Sequence, residues 1–296
     1  SASFQNDDWM SDLPEELWDT PLTDLAIPGS HDAMSYCLDI NSPLVPSESD
    51  FFSSFKQRNN YLYLSSLQDK TIEEQLSMGI RYFDLRVAHK PSDSSNDLYF
   101  THVIYTHLTV LETLVSVAAW LESHPKEIVI LACSHFEGID DKLHHAFIFS
   151  LKKLFGSKLC PQKVCFLPVY LWASGYQVVL SYDSQTAARH PELWPAIPYW
   201  WANQRTAQGL FFSSEGFFVS GLNLTADRFY ITENRKQSLR TLTYSNWECL
   251  RTWLEEQKPG SDPKSLNIIA GDFVGPLPLC SLVIALNQKL LRKNAR

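Results

Sequence analysis

The sequence predicts an α/β protein with one parallel β-sheet, and three observations lead to this fold class. Short apolar runs end in polar residues and alternate with segments of helical periodicity, as strand–helix units do. About seven such runs are spread over the chain of 296 residues, and no change of composition divides it. A parallel sheet of this size favours closure into a barrel. We therefore expect a single TIM-type barrel over residues 1–296, either regular or distorted and incomplete.

The predicted strands follow one another from the beginning of the chain to its end. They cover residues 25–28, 80–85, 98–105, 128–133, 177–182, 217–222 and 267–273. Residues 108–123 and 142–155 carry apolar side chains at three- and four-residue spacing, which predicts crossover helices. The Ser-rich stretch from Asn41 to Lys70 is longer than an ordinary connection, and it is interpreted as either an active-site flap or an insertion.

Composition excludes several classes of protein. With 45% hydrophobic and 20% charged residues, the chain can bury a sizeable core and differs from disordered chains. The net charge of -8 argues against a nucleic-acid partner and against long-range attraction to anionic membranes. The six cysteines have no zinc-ligand spacing, which fits a reducing compartment. The start has no signal-peptide pattern and no long apolar run follows, so a cytoplasmic location is expected.

Polar residues at the ends of the predicted strands suggest where the chemistry lies, because the loops after barrel strands form the active site in this fold class. These residues are His31, Asp32, Asp84, Arg86, His102, Ser134, His135, Tyr182, Asp183, Asn223 and Asp272. In the second strand, the period-2 alternation places Tyr82, Asp84 and Arg86 on one face. The Asp84–Arg86 pair is interpreted as a structural ion pair, as a phosphate-binding guanidinium, or as both.

Two histidines are candidates for acid–base chemistry. His31 follows a Pro-Gly turn, and His102 ends a predicted strand. Taken alone, a histidine near a turn, such as His31, is more often a capping or hydrogen-bonded structural residue. His107 competes with His102, but its place at the start of the predicted helix near Leu108 gives it an ordinary surface explanation. His102 is therefore preferred.

Five motifs, in their order along the chain, resemble the phosphatidylinositol-specific phospholipase C X-domain proteins. They are IPGSHD, GIRYFDLRV, YFTHVIYT, EIVILACSHFEG and NIIAGDFVG. The chain looks most like the small stand-alone animal branch, and the similarity extends from DDWM near the start to IALNQKLL near the end. The resemblance implies a TIM-type barrel that cleaves the phosphodiester between the inositol and diacylglycerol parts of a phosphatidylinositol lipid.

The resemblance also implies roles for individual residues. His31 would accept the proton of the inositol 2-hydroxyl as it attacks phosphorus, and His102 would protonate the departing diacylglycerol oxygen. Asp272 would hold His31, and Asp32 would hold His102. The histidine pair is chemically reasonable, because an internal attack needs one base and one acid and imidazoles titrate near neutral pH.

The same comparison addresses the metal. Ser134 stands where the calcium-dependent members carry a glutamate, and Arg86 follows Asp84 as in the metal-independent bacterial enzymes. We therefore predict that the Arg86 guanidinium replaces the cation, with no metal and no cofactor. Asp84, Ser134, Tyr182 and Asn223 are the expected head-group contacts.

The expected partner is phosphatidylinositol or a phosphoinositide at a membrane surface, contacted transiently by a monomeric protein. The aromatic pairs Trp200–Trp201 and Phe211–Phe212, both in loop-like sequence, are candidates for this contact. Two alternatives stay open. One is a barrel that binds phosphoinositides without catalysis, and the other is a glycerophosphodiester hydrolase that relies on metal-binding carboxylates.

Overall fold

A ten-stranded sheet forms the centre of the fold in the computed structural model, which describes residues 6–48, 66–201, 216–224 and 238–291. Apolar and β-branched residues dominate most of these strands, as expected for a sheet buried on both faces. The strands are β1 (Ile27–Ser30), β2 (Tyr82–Ala88), β3 (Tyr99–His102), β4 (Ile104–Thr109), β5 (Val129–Glu137), β6 (Val178–Tyr182), β7 (Leu193–Trp194), β8 (Tyr199–Trp201), β9 (Val219–Gly221) and β10 (Ile268–Gly271).

Eight of these strands form one parallel path with the order β7-β6-β5-β2-β1-β10-β9-β8. The first strand pairs with the last, so the sheet curls round as a barrel does. In the described part of the chain no pairing joins β7 to β8, and residues 195–198 alone connect them. The sheet is therefore a half-barrel with an open seam, and the predicted α/β barrel of distorted form is confirmed. That residues 1–296 form one domain stays a prediction.

Helices lie around the sheet in the described part of the chain. They are α1 (Ile72–Met78), α2 (Val110–Ser123), α3 (Asp141–Phe155), α4 (Pro168–Ser174), α5 (Leu239–Ser245), α6 (Trp247–Glu256), α7 (Leu279–Leu286) and α8 (Gln288–Leu291). Two of them, α2 and α3, are the crossover helices that the apolar periodicity predicts. Within the described ranges, none of the helices combines the length and apolarity that a membrane span requires.

The alternation of β2 separates the two faces of the sheet as predicted. Phe83 and Leu85 are fully buried in the core between sheet and helices. Tyr82, Asp84 and Arg86 point to the inside of the barrel, where they line a cavity. The sequence of this strand therefore determines which of its side chains are available for chemistry.

Two predicted elements differ from the structure. Residues 98–105 were expected to form one barrel strand, but they belong to an antiparallel hairpin in which β3 pairs with β2 and with β4. His107 consequently lies in β4, and the helix begins only at Val110. The pair Trp200–Trp201 belongs to strand β8 and not to a loop.

Other predicted features lie outside the described residues. They are the pair Phe211–Phe212 and most of the stretch from Asn41 to Lys70.

A buried ion pair closes the barrel at the amino ends of its strands. Arg81, just before β2, donates from Nη2 to Glu127 Oε2 at 2.8 Å, and neither side chain is exposed. Glu127 also accepts the backbone N–H of Ser11 at 3.0 Å, and Arg81 donates to the carbonyl of Asp7 at 2.7 Å. The pair therefore attaches the N-terminal segment to the floor of the barrel.

Candidate active site

A cavity of about 510 Å³ opens at the carboxyl ends of the barrel strands. This is the end at which TIM-type barrels place their active sites. Of the nine residues that were predicted to have a role in the site, seven line the cavity: His31, Asp32, Asp84, Arg86, His102, Ser134 and Asn223. Asp272 lies behind His31, and Tyr182 lies elsewhere.

His31 is held by Asp272. Its Nδ1 lies 2.8 Å from Asp272 Oδ1, and the Asp272 side chain is almost fully buried. The register of β1 and β10 explains why these two side chains are close, because Ser30 pairs with Gly271. His31 directly follows Ser30, and Asp272 directly follows Gly271. Gln68 donates from Nε2 to the carbonyls of His31 and Gly271, and so joins the two loops. This arrangement leaves His31 Nε2 as the ring nitrogen available to the cavity.

One carboxylate, Asp32, contacts three side chains of the site. Its Oδ2 lies 3.4 Å from His31 Nε2 and 3.5 Å from His102 Nε2. Its Oδ1 forms an ion pair with Arg86 Nε at 2.8 Å. The two imidazoles therefore converge on the same oxygen, although they come from strands that are not neighbours.

Arg86 lies between the two carboxylates of Asp32 and Asp84. Its Nη2 is 3.5 Å from Asp84 Oδ2 and 3.3 Å from His31 Nε2. Asp84 Oδ2 also accepts the backbone N–H of Asp32 at 3.0 Å, which orients the loop after β1. The guanidinium is therefore oriented by its partners before any substrate arrives.

The carboxylates determine the charge state of His31. Burial alone would lower the pKa of His31, but the negative charges of Asp32, Asp272 and Asp84 outweigh it and raise the pKa to about 9. Burial opposes the charge on Asp32 as well, yet chiefly the Arg86 guanidinium lowers the pKa of that carboxyl to about 2. The imidazolium form of His31 is therefore favoured near neutral pH. In that form the contact between Arg86 Nη2 and His31 Nε2 is not a hydrogen bond, because both nitrogens carry protons.

Backbone strain is concentrated at this site. Among the described residues, non-glycine positions with positive φ are Asp32, Ser92, Val103, His135 and Phe273. Asp32, Val103 and His135 line the cavity, and Phe273 directly follows Asp272. Such conformations cost on the order of 1–3 kcal/mol each and persist where the surrounding fold enforces them, which is typical of functional sites.

The residues that resemble metal ligands do not fit a calcium site as they are arranged. Donor atoms of His31, Asp32 and Asp84 lie within 4.8 Å of one another, close enough to share a cation. However, the Arg86 guanidinium already contacts both carboxylates, so a divalent ion there would face its positive charge. Calcium also takes about six to eight oxygen ligands, and this trio offers few.

Tyr182 is placed differently from the prediction. It is 1% exposed, and it packs in the core between sheet and helices against Phe136 and Phe147. Its hydroxyl lies 2.6 Å from Nδ1 of His144 on α3. The prediction of a head-group contact is therefore wrong in its placement, because the last side chain of β6 points to the helices and the preceding Ser181 lines the cavity.

The sequence did not single out Tyr199, which lines the cavity. His135 and Asp183 also line it, and they were expected at strand ends, although without an assigned role. The ring of Tyr199 lies 5.9 Å from that of His31, and its hydroxyl donates to Asn223 Oδ1 at 2.6 Å. Burial raises the pKa of Tyr199 well above its ordinary value, so the phenol stays protonated. The aromatic run after Pro198 could have indicated β8, but a strand of three residues is too short for its alternation to stand out.

Solved structures confirm the fold. A phosphatidylinositol-specific phospholipase C from Staphylococcus aureus, in a mutant form, superposes with a TM-score of 0.62 at 15% identity, covering 95% of this chain and 98% of the other. The phosphatidylinositol-specific phospholipase C from Listeria monocytogenes has a TM-score of 0.61 at 19% identity, with the same coverage of 95% and 98%.

Curated relatives establish the family, although a scan against models of known protein families finds no match. Human PI-PLC X domain-containing protein 1 is 42% identical over 302 residues, which cover 97% of this chain and 94% of the relative. Mouse PI-PLC X domain-containing protein 2 is 36% identical over 306 residues, which cover 96% and 88%. The resemblance seen in the sequence is confirmed, and the chain belongs to the family of PI-PLC X domain-containing proteins.

Proposed function

We propose that the protein is a phosphodiesterase of the phospholipase C type that cleaves phosphatidylinositol lipids by acid–base catalysis. The observation that carries this proposal is the convergence of His31 and His102 on the Asp32 carboxylate, beside Arg86, in an open cavity. Membership of the PI-PLC X domain-containing family and the likeness to bacterial phosphatidylinositol-specific phospholipases C support it.

His31 is the proposed base. Its Nδ1 faces Asp272, so Nε2 is the nitrogen that would accept the proton of the inositol 2-hydroxyl. The deprotonated oxygen then attacks phosphorus and forms the new P–O bond of a cyclic inositol phosphate. Since the carboxylates favour the imidazolium, His31 must first release a proton to act in this way.

His102 is the proposed acid. As the P–O bond to diacylglycerol breaks, His102 donates its proton to the departing oxygen, and diacylglycerol leaves as the alcohol. Asp32, whose Oδ2 lies 3.5 Å from His102 Nε2, is placed to orient the imidazole for this step. The two histidines exchange these roles if water subsequently opens the cyclic phosphate.

Arg86 is proposed to neutralise charge on the non-bridging phosphate oxygens without a metal ion. Its position between Asp32 and Asp84 supports this role, since the guanidinium is already oriented. The loss of one such contact typically raises the barrier by about 3 kcal/mol or more. Asp84, Ser134 and Asn223, which line the cavity, are the proposed head-group contacts.

The proposed partner is an inositol lipid at a membrane surface. The protein is proposed to be a cytoplasmic monomer that associates transiently with this membrane. Trp201 lines the cavity and is partly exposed, so it lies where a lipid would enter. An aromatic side chain at such an edge suits the polar–apolar boundary of a bilayer.

The test is turnover of phosphatidylinositol in mixed vesicles, with products identified by phosphorus NMR. We expect cyclic inositol phosphate and diacylglycerol from the wild type, with and without chelator. His31→Ala and His102→Ala should each lower kcat at least about 100-fold, because each removes an acid or base. His107→Ala is the matched control, since His107 is exposed and lies outside the cavity lining.

The rival functions give different products. Vesicle binding without turnover, unchanged by either active-site variant, would identify a non-catalytic lipid-binding barrel. Release of glycerol phosphate that depends on divalent metal would identify a glycerophosphodiester hydrolase. Loss of wild-type activity with chelator alone would contradict the role given to Arg86.

A further inference from the structure

A β-bulge beside Arg86 delivers a third histidine to the cavity. Arg86 of β2 pairs with Ser134 of β5, but Ala88 pairs with Glu137. The β5 strand therefore advances by three residues over the stretch in which β2 advances by two. His135 is the residue directly after Ser134, and its φ of 52° lies in the left-handed region. Bulges of this kind redirect side chains and occur preferentially next to active sites.

Regular alternation would send His135 to the helices. Ser134 and Arg86 are opposite each other and both line the cavity, so the next side chain in an unbroken strand would face outward. His135 lines the cavity nevertheless. A left-handed conformation at a non-glycine residue is energetically costly, and at His135 this conformation accompanies the placement of the imidazole on the inner side of the sheet.

The imidazole is anchored and surrounded by charge. Its Nδ1 lies 2.8 Å from Ser134 Oγ, which leaves Nε2 as the second ring nitrogen for a ligand. The charged groups that act on it are Arg86 and Asp84 on β2, Asp32 after β1, and Asp183 after β6. An anion bound by the Arg86 guanidinium would therefore be close enough to the His135 imidazole to interact with it electrostatically.

We propose that His135 is a further substrate-binding residue, which donates from Nε2 to a non-bridging oxygen of the phosphodiester alongside Arg86. This inference rests on the proposed function and adds a second phosphate contact to it. Partial desolvation at the cavity mouth, together with the Arg86 charge, lowers the pKa of His135, so the free protein holds it neutral. A bound phosphodiester anion offsets the Arg86 charge and favours protonation, so binding takes up a proton from solvent.

The experiment uses the full chain and a phosphodiester that cannot react. The probe is the 2-deoxy analogue of glycerophosphoinositol, a monoanion that lacks the attacking hydroxyl, and the uncharged comparison is myo-inositol. Isothermal titration calorimetry at pH 7, in two buffers of different ionisation enthalpy, measures both affinity and proton uptake. The wild type should bind the phosphodiester with net uptake of protons.

His135→Gln keeps a polar side chain but cannot take up the proton. It should weaken phosphodiester binding about tenfold or more, remove the uptake, and leave myo-inositol binding unchanged. Ser134→Ala, which retains the imidazole but removes its anchor, is the second variant and should weaken binding less. His107→Gln, outside the cavity lining, should behave as the wild type.

The outcomes separate this inference from the proposed function. Failure of the wild type to bind the probe, unchanged affinity in His135→Gln, persistent proton uptake, or equal loss of both ligands would overturn the role of His135. If the wild type binds with proton uptake but does not cleave phosphatidylinositol, the proposed function fails while His135 remains a phosphodiester-binding residue. If the wild type cleaves the lipid and His135→Gln binds normally, only the inference fails.

Discussion

At the scale of single residues, the site depends on which side of a strand a side chain occupies. Alternation in β2 was enough to predict that Asp84 and Arg86 share an inner face, and the structure shows that face in the cavity. For β6, the prediction chose the last residue, Tyr182, although Ser181 is the one that points inward. Whether the last side chain of a strand points inward depends on its place in the period-2 alternation of that strand, and a motif alone does not show this place.

The charge on His31 leads to a prediction at this scale. The base must be unprotonated, and the carboxylates raise the pKa of His31 to about 9, so kcat/KM should rise with pH well above the ordinary histidine value of 6.5. Asp32→Asn removes the strongest attractive charge and should move this rising limb to lower pH, while the maximum rate falls. The measurement is kcat/KM for phosphatidylinositol from pH 5 to 10.

The control for this profile is His107→Gln, which should leave the limb where the wild type has it. A rising limb centred at or below pH 6.5, or one that Asp32→Asn does not move, would show that another group limits the rate.

At the scale of elements, the β3–β4 hairpin decides where His102 lies. The sequence pattern of residues 98–105 is that of a strand, but β3 pairs antiparallel with β2, and Val103 alone separates it from β4. Val103 has a φ of 71°, which is rare for a β-branched residue. His102 therefore reaches the cavity from a hairpin that pairs antiparallel with β2, and not from the end of a parallel barrel strand.

The helix that follows this hairpin depends on its N-cap. Thr109 accepts the backbone N–H of Glu112, while the Glu112 side chain accepts the backbone N–H of Thr109, and the two contacts form a capping box. Thr109→Ala should lower the free energy of unfolding by about 1 kcal/mol, measured by urea denaturation, with kcat unchanged. Thr109→Ser retains the acceptor and should lose much less. A loss of kcat in Thr109→Ala at full stability would instead connect the hairpin to catalysis.

At the scale of the whole molecule, the barrel is closed at one end and open at the other. The buried Arg81–Glu127 pair connects β2, the segment before β5 and the N-terminal segment at the floor. The opposite end carries the cavity, with its carboxylates and strained loops. The ion pair at the floor and the residues proposed for the chemistry thus lie at opposite ends of the barrel, and it is usual for this fold that contributions to stability and to chemistry are separated in this way.

Removal of one partner of the floor pair should destabilise the whole chain. Glu127→Gln leaves the Arg81 charge buried without its counter-ion, and we expect a loss of about 3–5 kcal/mol in the free energy of unfolding. The double variant Arg81→Met with Glu127→Leu should lose less than the single variant, because no uncompensated charge remains. A greater loss in the double variant would mean that the ion pair itself stabilises the fold.

Local patterning was sufficient for the α/β class and for the two long crossover helices. Periodicity and strand ends are short-range features, and they indicated His31, Arg86 and His102 as candidates, whose expected roles came from the family resemblance. Other features needed the folded chain: the sharing of Asp32 by both imidazoles, the open seam between β7 and β8, and the inward turn of His135. These depend on the curvature of the sheet and on the register of strands distant in sequence, and residues that meet through register leave no pattern in the chain between them.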